Sequence, residues 1–421
     1  MASAPPPRAD APLAPAILPG RRAGWVLSAL ALACIAWRVL AIGAGWQDWQ
    51  WDFRVCHLAA QAWLLGEDPY DLATLRSLAT EQVNLRFLYA PSFLLAMAPL
   101  GHLDEAPAKA LWLALKVLAL AGMATLWLRT IVARGERHWL GPFALLAFNG
   151  TILADLHTGN AALLEQALLW LAFWFYLRGK GLPLGVLVGV VASLKLAPLV
   201  FLLLLADRSV RQRLAGAAAG LAVFGALVGW PMVLDRPLFD AWRASVAVMD
   251  ENRGLFNPSA WSLAKDVADA AGAGRWLAVA LHGLVAAGVA AALLVVARAA
   301  RKRGEEGRKR LLVAAILAYA VAAPRMKDYG WAFVIPAAYV AFARWKGGAW
   351  ALLLVVAAMS VDYRYVPGAR EAARLAWQYQ SWLVAAAALG LACESCLRAG
   401  AFPLPPGAGD AGNATIQLDR E

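Results

Sequence analysis

Apolar runs alternate with short basic or Pro/Gly-rich segments from Trp25 to Leu397. A bilayer crossing needs roughly 20 apolar residues in a helix, and runs close to that length lie at 25–44, 107–128, 139–156, 161–177, 214–232, 272–297 and 376–397. Shorter runs lie at 183–194, 196–206, 311–323, 331–343 and 349–361. The predicted fold class is all-α, a polytopic membrane protein with about twelve membrane helices. Within the first long loop, Val55, Leu58, Ala59, Ala62 and Leu65 recur at helical spacing and Gly66 follows as a C-cap, which predicts an interfacial helix lying flat. Trp46, Trp49 and Trp51 just before it fit the aromatic belt of a membrane surface.

The basic residues decide orientation. Arg21/Arg22, Arg129/Arg134/Arg137, Arg178/Lys180, Arg208/Arg211/Arg213, the run Arg298–Arg310, Arg344/Lys346 and Arg398 flank the apolar runs and should face the cytoplasm. For Arg129 to do so, the segment 87–103 must dip into the outer leaflet without crossing. Parity is kept at 183–206 if Lys195 and Pro198 break that stretch into two short helices that go out and back. Both termini are then cytoplasmic, and the loop 45–106, the turn Asp155–Asn160, Lys195, the loop 233–270 and Pro324–Gly330 are external. The expected organisation is a disordered tail at 1–22, a transmembrane domain at 23–398 and a disordered tail at 399–421, multi-pass in the inner (plasma) membrane. The first apolar run is expected to be a retained helix, since it lacks a small-residue cleavage site.

Composition sharpens this picture. Apolar residues make up 61%, charged residues 16%, and mean hydropathy is +0.57, whereas a soluble domain carries about a quarter charged residues. The net charge of +11 sits in clusters that orient helices, so no nucleic-acid partner is expected. Cys34 and Cys56 stand alone, and Cys393 and Cys396 form a C-x-x-C without a second pair or a histidine, so no metal is expected. No P-loop, dinucleotide glycine fingerprint, H-E-x-x-H or nucleophile elbow is present in a suitable context.

Several external polar residues are candidates for chemistry. Asp52, in WQWDFRV, stands between a span and the interfacial helix and is placed either to act as a general base or to cap the helix. Asp155, His157, Thr158 and Asn160 form a polar turn between two spans, which solvation alone also explains. Lys195 lies in LVGVVASLKLAPLVFLLLL, where a charge is expensive and points to function unless it snorkels to the surface. Asn257, Ser259 and Trp261 in LFNPSAWSL, and Arg325, Lys327, Asp328 and Tyr329 in AAPRMKDYGW, complete the set. Lys116 falls near the middle of its span and has no assigned place.

Taken in order, DF, GEDPY, LYAP, HTGN, SLKLAP, NPSAWSL and PRMKDYGWAFVIP resemble the type-C glycosyltransferases of family 87, across residues 50–340. The resemblance implies an inverting transfer of a hexose, mannose in the family, from a polyprenyl-phosphate sugar donor to a lipid or glycan acceptor on the extracytoplasmic side. It implies Asp52 as catalytic base. Lys195, Arg86, Arg325 and Lys327 would then meet the donor phosphate, and Tyr89, Asp155, His157, Asn160, Asn257, Ser259, Asp328 and Tyr329 the substrates, with no cofactor and no metal. The family's Gly-Gln-x-Asn element reads His157-Thr158-Gly159-Asn160 in this chain, and its late His-Tyr reads Asp328-Tyr329, so the roles of that Gln and that His do not carry over. A transporter or flippase is the alternative. It would show two related halves with polar breaks near the midplane, and no such repeat is visible.

Overall fold

The computed structural model describes residues 20–45, 50–248, 253–301, 303–345 and 371–401, all helix, turn or coil. The segment 349–361, Trp46, Trp49 and most of both expected tails lie outside them. Among the described residues, six helical stretches are long and apolar enough to cross a membrane: Arg21–Gly43, Glu105–Thr130, Arg134–Thr158, Val210–Leu234, Arg275–Ala300 and Gln380–Leu397. Pro91–Gly101, Ala162–Leu177, Gly181–Leu194 and Ala197–Asp207 are shorter apolar helices. Leu27, Leu30, Leu118, Leu221, Leu284 and Leu294 are exposed on the long helices, as lipid-facing residues would be.

The helices are α1 (Arg21–Gly43), α2 (Trp51–Leu64), α3 (Leu72–Leu78), α4 (Pro91–Gly101), α5 (Glu105–Thr130), α6 (Leu140–Thr158), α7 (Ala162–Leu177), α8 (Gly181–Leu194), α9 (Val210–Leu234), α10 (Arg236–Ala247), α11 (Ala260–Ala270), α12 (Arg275–Ala300), α13 (Gly304–Ala322), α14 (Ile335–Ala343), α15 (Glu371–Gln378) and α16 (Gln380–Ala401). They pack in two layers. A large core joins α5 to α8 with α12, α13, α14 and α16. A smaller one covers its polar end and is built from α2, α3, α4, the first turns of α5 and Leu238 of α10. The other end gathers basic residues: Arg344 pairs with Glu136 at 3.3 Å and lies 4.0 Å from Glu306, and Arg208 holds the carbonyl of Tyr176 at the end of α7.

A helix is present where that spacing predicts one, as α2, and Val55, Leu58, Ala59 and Ala62 are buried on it. Gly66, at φ 77°, closes it, with Glu67 N donating to Ala62 O and Gly66 N to Trp63 O in a Schellman pattern. The segment 87–103 folds into the 11-residue α4, about 16 Å long at ~1.5 Å per residue and too short to cross, and it packs against α2 in the smaller core. Lys195 is extended (φ −144°, ψ 116°) and separates α8 from the 3-10 helix Ala197–Asp207.

The first helix begins at Arg21, and α16 runs to Ala401. Two expectations change. The run 331–343 is divided into the 3-10 segment Asp328–Val334 and α14. The run 139–156 is no continuous helix: Phe148, Asn149 and Gly150 are left-handed (φ 55°, 57° and 64°). That conformation is unfavourable for phenylalanine, and tertiary contacts hold it. The Phe148 ring stacks on Trp331 at 5.3 Å, Asn149 accepts from Gln380, and Thr151 Oγ1 accepts from Trp331 N at 3.3 Å.

Small residues let α8 and α9 approach closely, the usual device where lipid and protein neighbours are equally apolar. A Cβ on Gly185 would sit 1.9 Å from the carbonyl oxygen of Gly216, and one on Gly189 2.3 Å from that of Gly220. Gly185→Ala is expected to destabilise the detergent-purified protein by about 1–3 kcal/mol, as overpacking does. Gly225→Ala, with nothing within 4 Å of its added Cβ, is expected to be neutral. Equal thermal midpoints for the two variants would contradict this contact.

Candidate active site

The site is built outward from α5. Trp112 and Lys116 are one helical turn apart and therefore share a face. Trp112 Nε1 donates to Gly159 O at 2.8 Å. Lys116 Nζ donates to Asp155 O at 2.5 Å and to Asn160 O at 2.8 Å, and pairs with Asp155 Oδ1 at 2.5 Å. Both charged side chains are fully buried. The lysine thereby takes a carbonyl in the last turn of α6 and one from the turn leading to α7.

This turn carries the start of α2. Gly159 is left-handed (φ 74°), and a Cβ there would lie 2.8 Å from Gln50 Cβ and 3.0 Å from Phe53 Cβ. Gln50 N donates to His157 O at 2.8 Å. Gln50 takes the N-cap position of α2, so Asp52 is not the cap but the second helical residue, where the helix dipole favours a carboxylate. Asn160 is the hub: its Nδ2 donates to Asp52 Oδ2 at 2.8 Å. Its Oδ1 accepts from Tyr89 Oη at 3.0 Å and from Ala162 N at 3.1 Å. Burial pushes the Asp52 carboxyl above its ordinary value, and the Asn160 bond and the charges of Lys116, Lys327 and Lys195 oppose that rise.

Facing this group, Lys195 Nζ pairs with Glu165 Oε2 at 2.7 Å and lies 5.7 Å from the centre of the Tyr329 ring. Lys195 is 42% exposed while Glu165 is 6% exposed. Two α7 residues one turn apart hold the 3-10 segment: Gln166 Nε2 donates to Tyr329 O at 3.1 Å, Gln166 Oε1 accepts from Phe333 N at 2.6 Å, and Trp170 Nε1 donates to Phe333 O at 3.2 Å. Asp328 Oδ1 accepts from Tyr329 N at 3.0 Å, and burial raises its carboxyl against the pull of that bond and of Lys327. Arg325 is half-buried, and its charge acts on Tyr329.

The structure thus brings together Asp52, Tyr89, Asn160, Lys195, Arg325, Lys327, Asp328 and Tyr329 at one end of the bundle. Other expected members are placed elsewhere. Arg86 is exposed, and its charge acts weakly on Asp71, the N-cap of α3. Asp155 is sealed under Lys116 and has no surface for a substrate. Asn257 and Ser259 are buried staples: Asn257 Oδ1 accepts from Met326 N at 2.8 Å and Ser259 Oγ donates to Pro324 O at 2.8 Å. They fix the segment bearing Arg325 and Lys327, and Ser259 also caps α11. His157 packs edge-on against Trp51, centroids 4.8 Å apart, beside the Asp52–Asn160 pair rather than in it.

Glu165 and Gln166 were not singled out from the sequence. The signal was present, because the carboxylate in ALLEQALLWLAF is as expensive in an apolar helix as Lys195. A separate cavity of about 540 Å³, lined by Arg253, Trp261, Lys265, Asp269 and Arg275, among others, lies beside α11 and α12 and includes none of the residues around Asp52.

No curated protein matches this sequence, and no solved structure matches it. The sequence model of glycosyltransferase family 87 matches residues 87–324, more than half of the 421-residue chain. The match covers Tyr89, Asn160, Lys195 and the staples Asn257 and Ser259, and begins after Asp52. On this match, and with its set of apolar helices, the chain belongs to glycosyltransferase family 87 and is a multi-pass membrane glycosyltransferase.

Proposed function

We propose that the protein transfers a hexose, mannose by the family resemblance, from a polyprenyl-phosphate sugar to a lipid or glycan acceptor on the extracytoplasmic side, with inversion. The observation that carries this reading is the half-buried Asp52 carboxylate, held through Oδ2 by Asn160 at 2.8 Å and ringed by the charges of three lysines. The acceptor hydroxyl oxygen attacks the anomeric carbon opposite the phosphate, and its proton passes to Asp52. As the new carbon–oxygen bond forms, the bond to the phosphate oxygen breaks and its electron pair leaves with polyprenyl phosphate. That leaving group is a weakly basic anion, so fixed positive charge serves it better than a proton donor. Lys195 is the best-placed cation, half-exposed at a break between two short apolar helices, and Arg325 and Lys327 flank it in sequence-distant but spatially neighbouring chain. Tyr89, Asn160, Asp328 and Tyr329 line the sugar and acceptor side.

Sidedness follows from the basic end, which the positive-inside rule places in the cytoplasm. In a chain whose native cysteines are replaced, a membrane-impermeant thiol reagent applied to intact cells is expected to label Arg86→Cys and spare Ser209→Cys, both at exposed positions. The reverse pattern would invert the whole assignment.

Asp52→Asn keeps shape and removes basicity, so turnover is expected to fall about 10²-fold or more with normal membrane accumulation. A base works only when ionised, and burial lifts Asp52 above the ordinary carboxylate range. Wild-type turnover should therefore decline as pH falls through that raised value, and near-normal transfer by Asp52→Asn would remove Asp52 from the mechanism.

Lys195→Met retains the aliphatic stem. A loss of donor affinity would show that the ammonium binds phosphate in the ground state, and a loss of turnover that it meets the developing charge. Wild-type values for both would take Lys195 out of the site.

A further inference from the structure

Lys116 and Asp155 are the most deeply buried charges near the site, and neither has a surface from which to touch a substrate. Lys116 nevertheless binds the main chain of the residue whose side chain holds Asp52: its Nζ is 2.8 Å from Asn160 O, and Asn160 Nδ2 is 2.8 Å from Asp52 Oδ2. Asp155 supplies the countercharge at 2.5 Å and, through its own carbonyl, a second anchor. Trp112, one turn away on α5, fixes Gly159 between them. A simple hairpin between two helices needs no ion pair, and a lysine alone in an apolar span is destabilising.

We infer that Lys116 and Asp155 are positioning residues for the base, an ion pair that clamps the turn so that Asn160 presents its amide to Asp52 at one fixed distance. The inference rests on the reading of Asp52 as base. Displacing a reacting group by about 1 Å can reduce rate 10²-fold, whereas donor binding at Lys195 lies on the opposite wall and should not depend on this clamp. The ammonium also contributes to the field at Asp52. The other charged or titratable groups there are Lys195, Lys327, Glu165, Asp328, Tyr89, Tyr329 and, on α2 itself, Cys56.

The test is the pair of substitutions Lys116→Met and Asp155→Leu in one full-length chain, since a buried ion pair replaced by apolar residues of similar volume usually leaves a folded protein. Turnover is expected to fall about 10-fold or more, with affinity for polyprenyl phosphate unchanged. The acid limb of the pH–turnover profile is expected to move to higher pH, because a cation that favours the ionised carboxylate is gone. Wild-type turnover with an unmoved acid limb overturns the inference, and so does an equal loss of affinity and turnover, which would mean general collapse of the site. If the double variant does not accumulate, Lys116→Arg keeps the charge beside Asp155 but changes the reach to the two carbonyls. Reduced turnover in a stable Lys116→Arg protein supports the clamp, wild-type turnover overturns it, and failure of both proteins to fold assigns the pair to assembly alone and overturns it. Asp52→Asn measured in parallel separates the two claims. If that variant is inactive while the double variant keeps wild-type turnover and an unmoved acid limb, only the clamp fails; if it is active, both readings fail.

Discussion

An ammonium group inside an apolar helix costs about 2.5–3.5 kcal/mol on insertion scales unless something meets it, and Lys116 is met from three directions at once. One carboxylate and two carbonyls surround it within 2.8 Å. That requirement binds α5 to the end of α6 and the start of α7, so the turn between them cannot relax independently of the bundle. The turn in turn seats Gln50 and the first residues of α2 through Gly159 and the carbonyl of His157. A single desolvated charge thus determines where α2 begins, and with it where Asp52 stands.

The opposite wall is organised by the same means. Glu165 and Gln166 sit in the first turns of α7, a helix of only 16 residues, and they reach Lys195 on one side and the 3-10 segment Asp328–Val334 on the other. Helices shorter than a bilayer's hydrocarbon core, about 30 Å, leave backbone breaks below the surface. At those breaks polar side chains replace the missing intrahelical hydrogen bonds. The broken α6 and the 3-10 segment are coupled to each other at Phe148, Thr151 and Trp331, so the two walls share one rigid support.

The departures from the family pattern acquire a physical meaning here. Thr158, standing where the family has Gln, keeps its hydroxyl within the turn, donating to Asp155 O and accepting from Asn160 N, both at 3.3 Å. It supports the backbone and does not face Asp52. Asp328, in place of the family's His, accepts from the following backbone amide, and the charge of Lys327 partly offsets the cost of burying it.

Hydropathy along the chain was sufficient for the all-α membrane fold, for the α2 spacing that ends at Gly66, and for the break at Lys195, because each depends on local composition and on backbone preferences within a few residues. The charge pattern likewise separated a basic end from a polar one. What the linear pattern did not contain was partnership. Asp155, Asn257 and Ser259 read as substrate contacts because they are polar residues beside spans, yet their partners are Lys116, Met326 and Pro324, between 39 and 69 residues away. Arg86 read as a phosphate ligand from its side of the membrane alone, and the fold leaves it exposed. Lys116 had no place in the sequence because the groups that make it tolerable come from two other helices, and Glu165 went unnoticed for the same reason. Sequence determines which charges are expensive to bury; only the tertiary structure decides which opposite charge or carbonyl meets each one, because that depends on distances across helices that hydropathy does not encode.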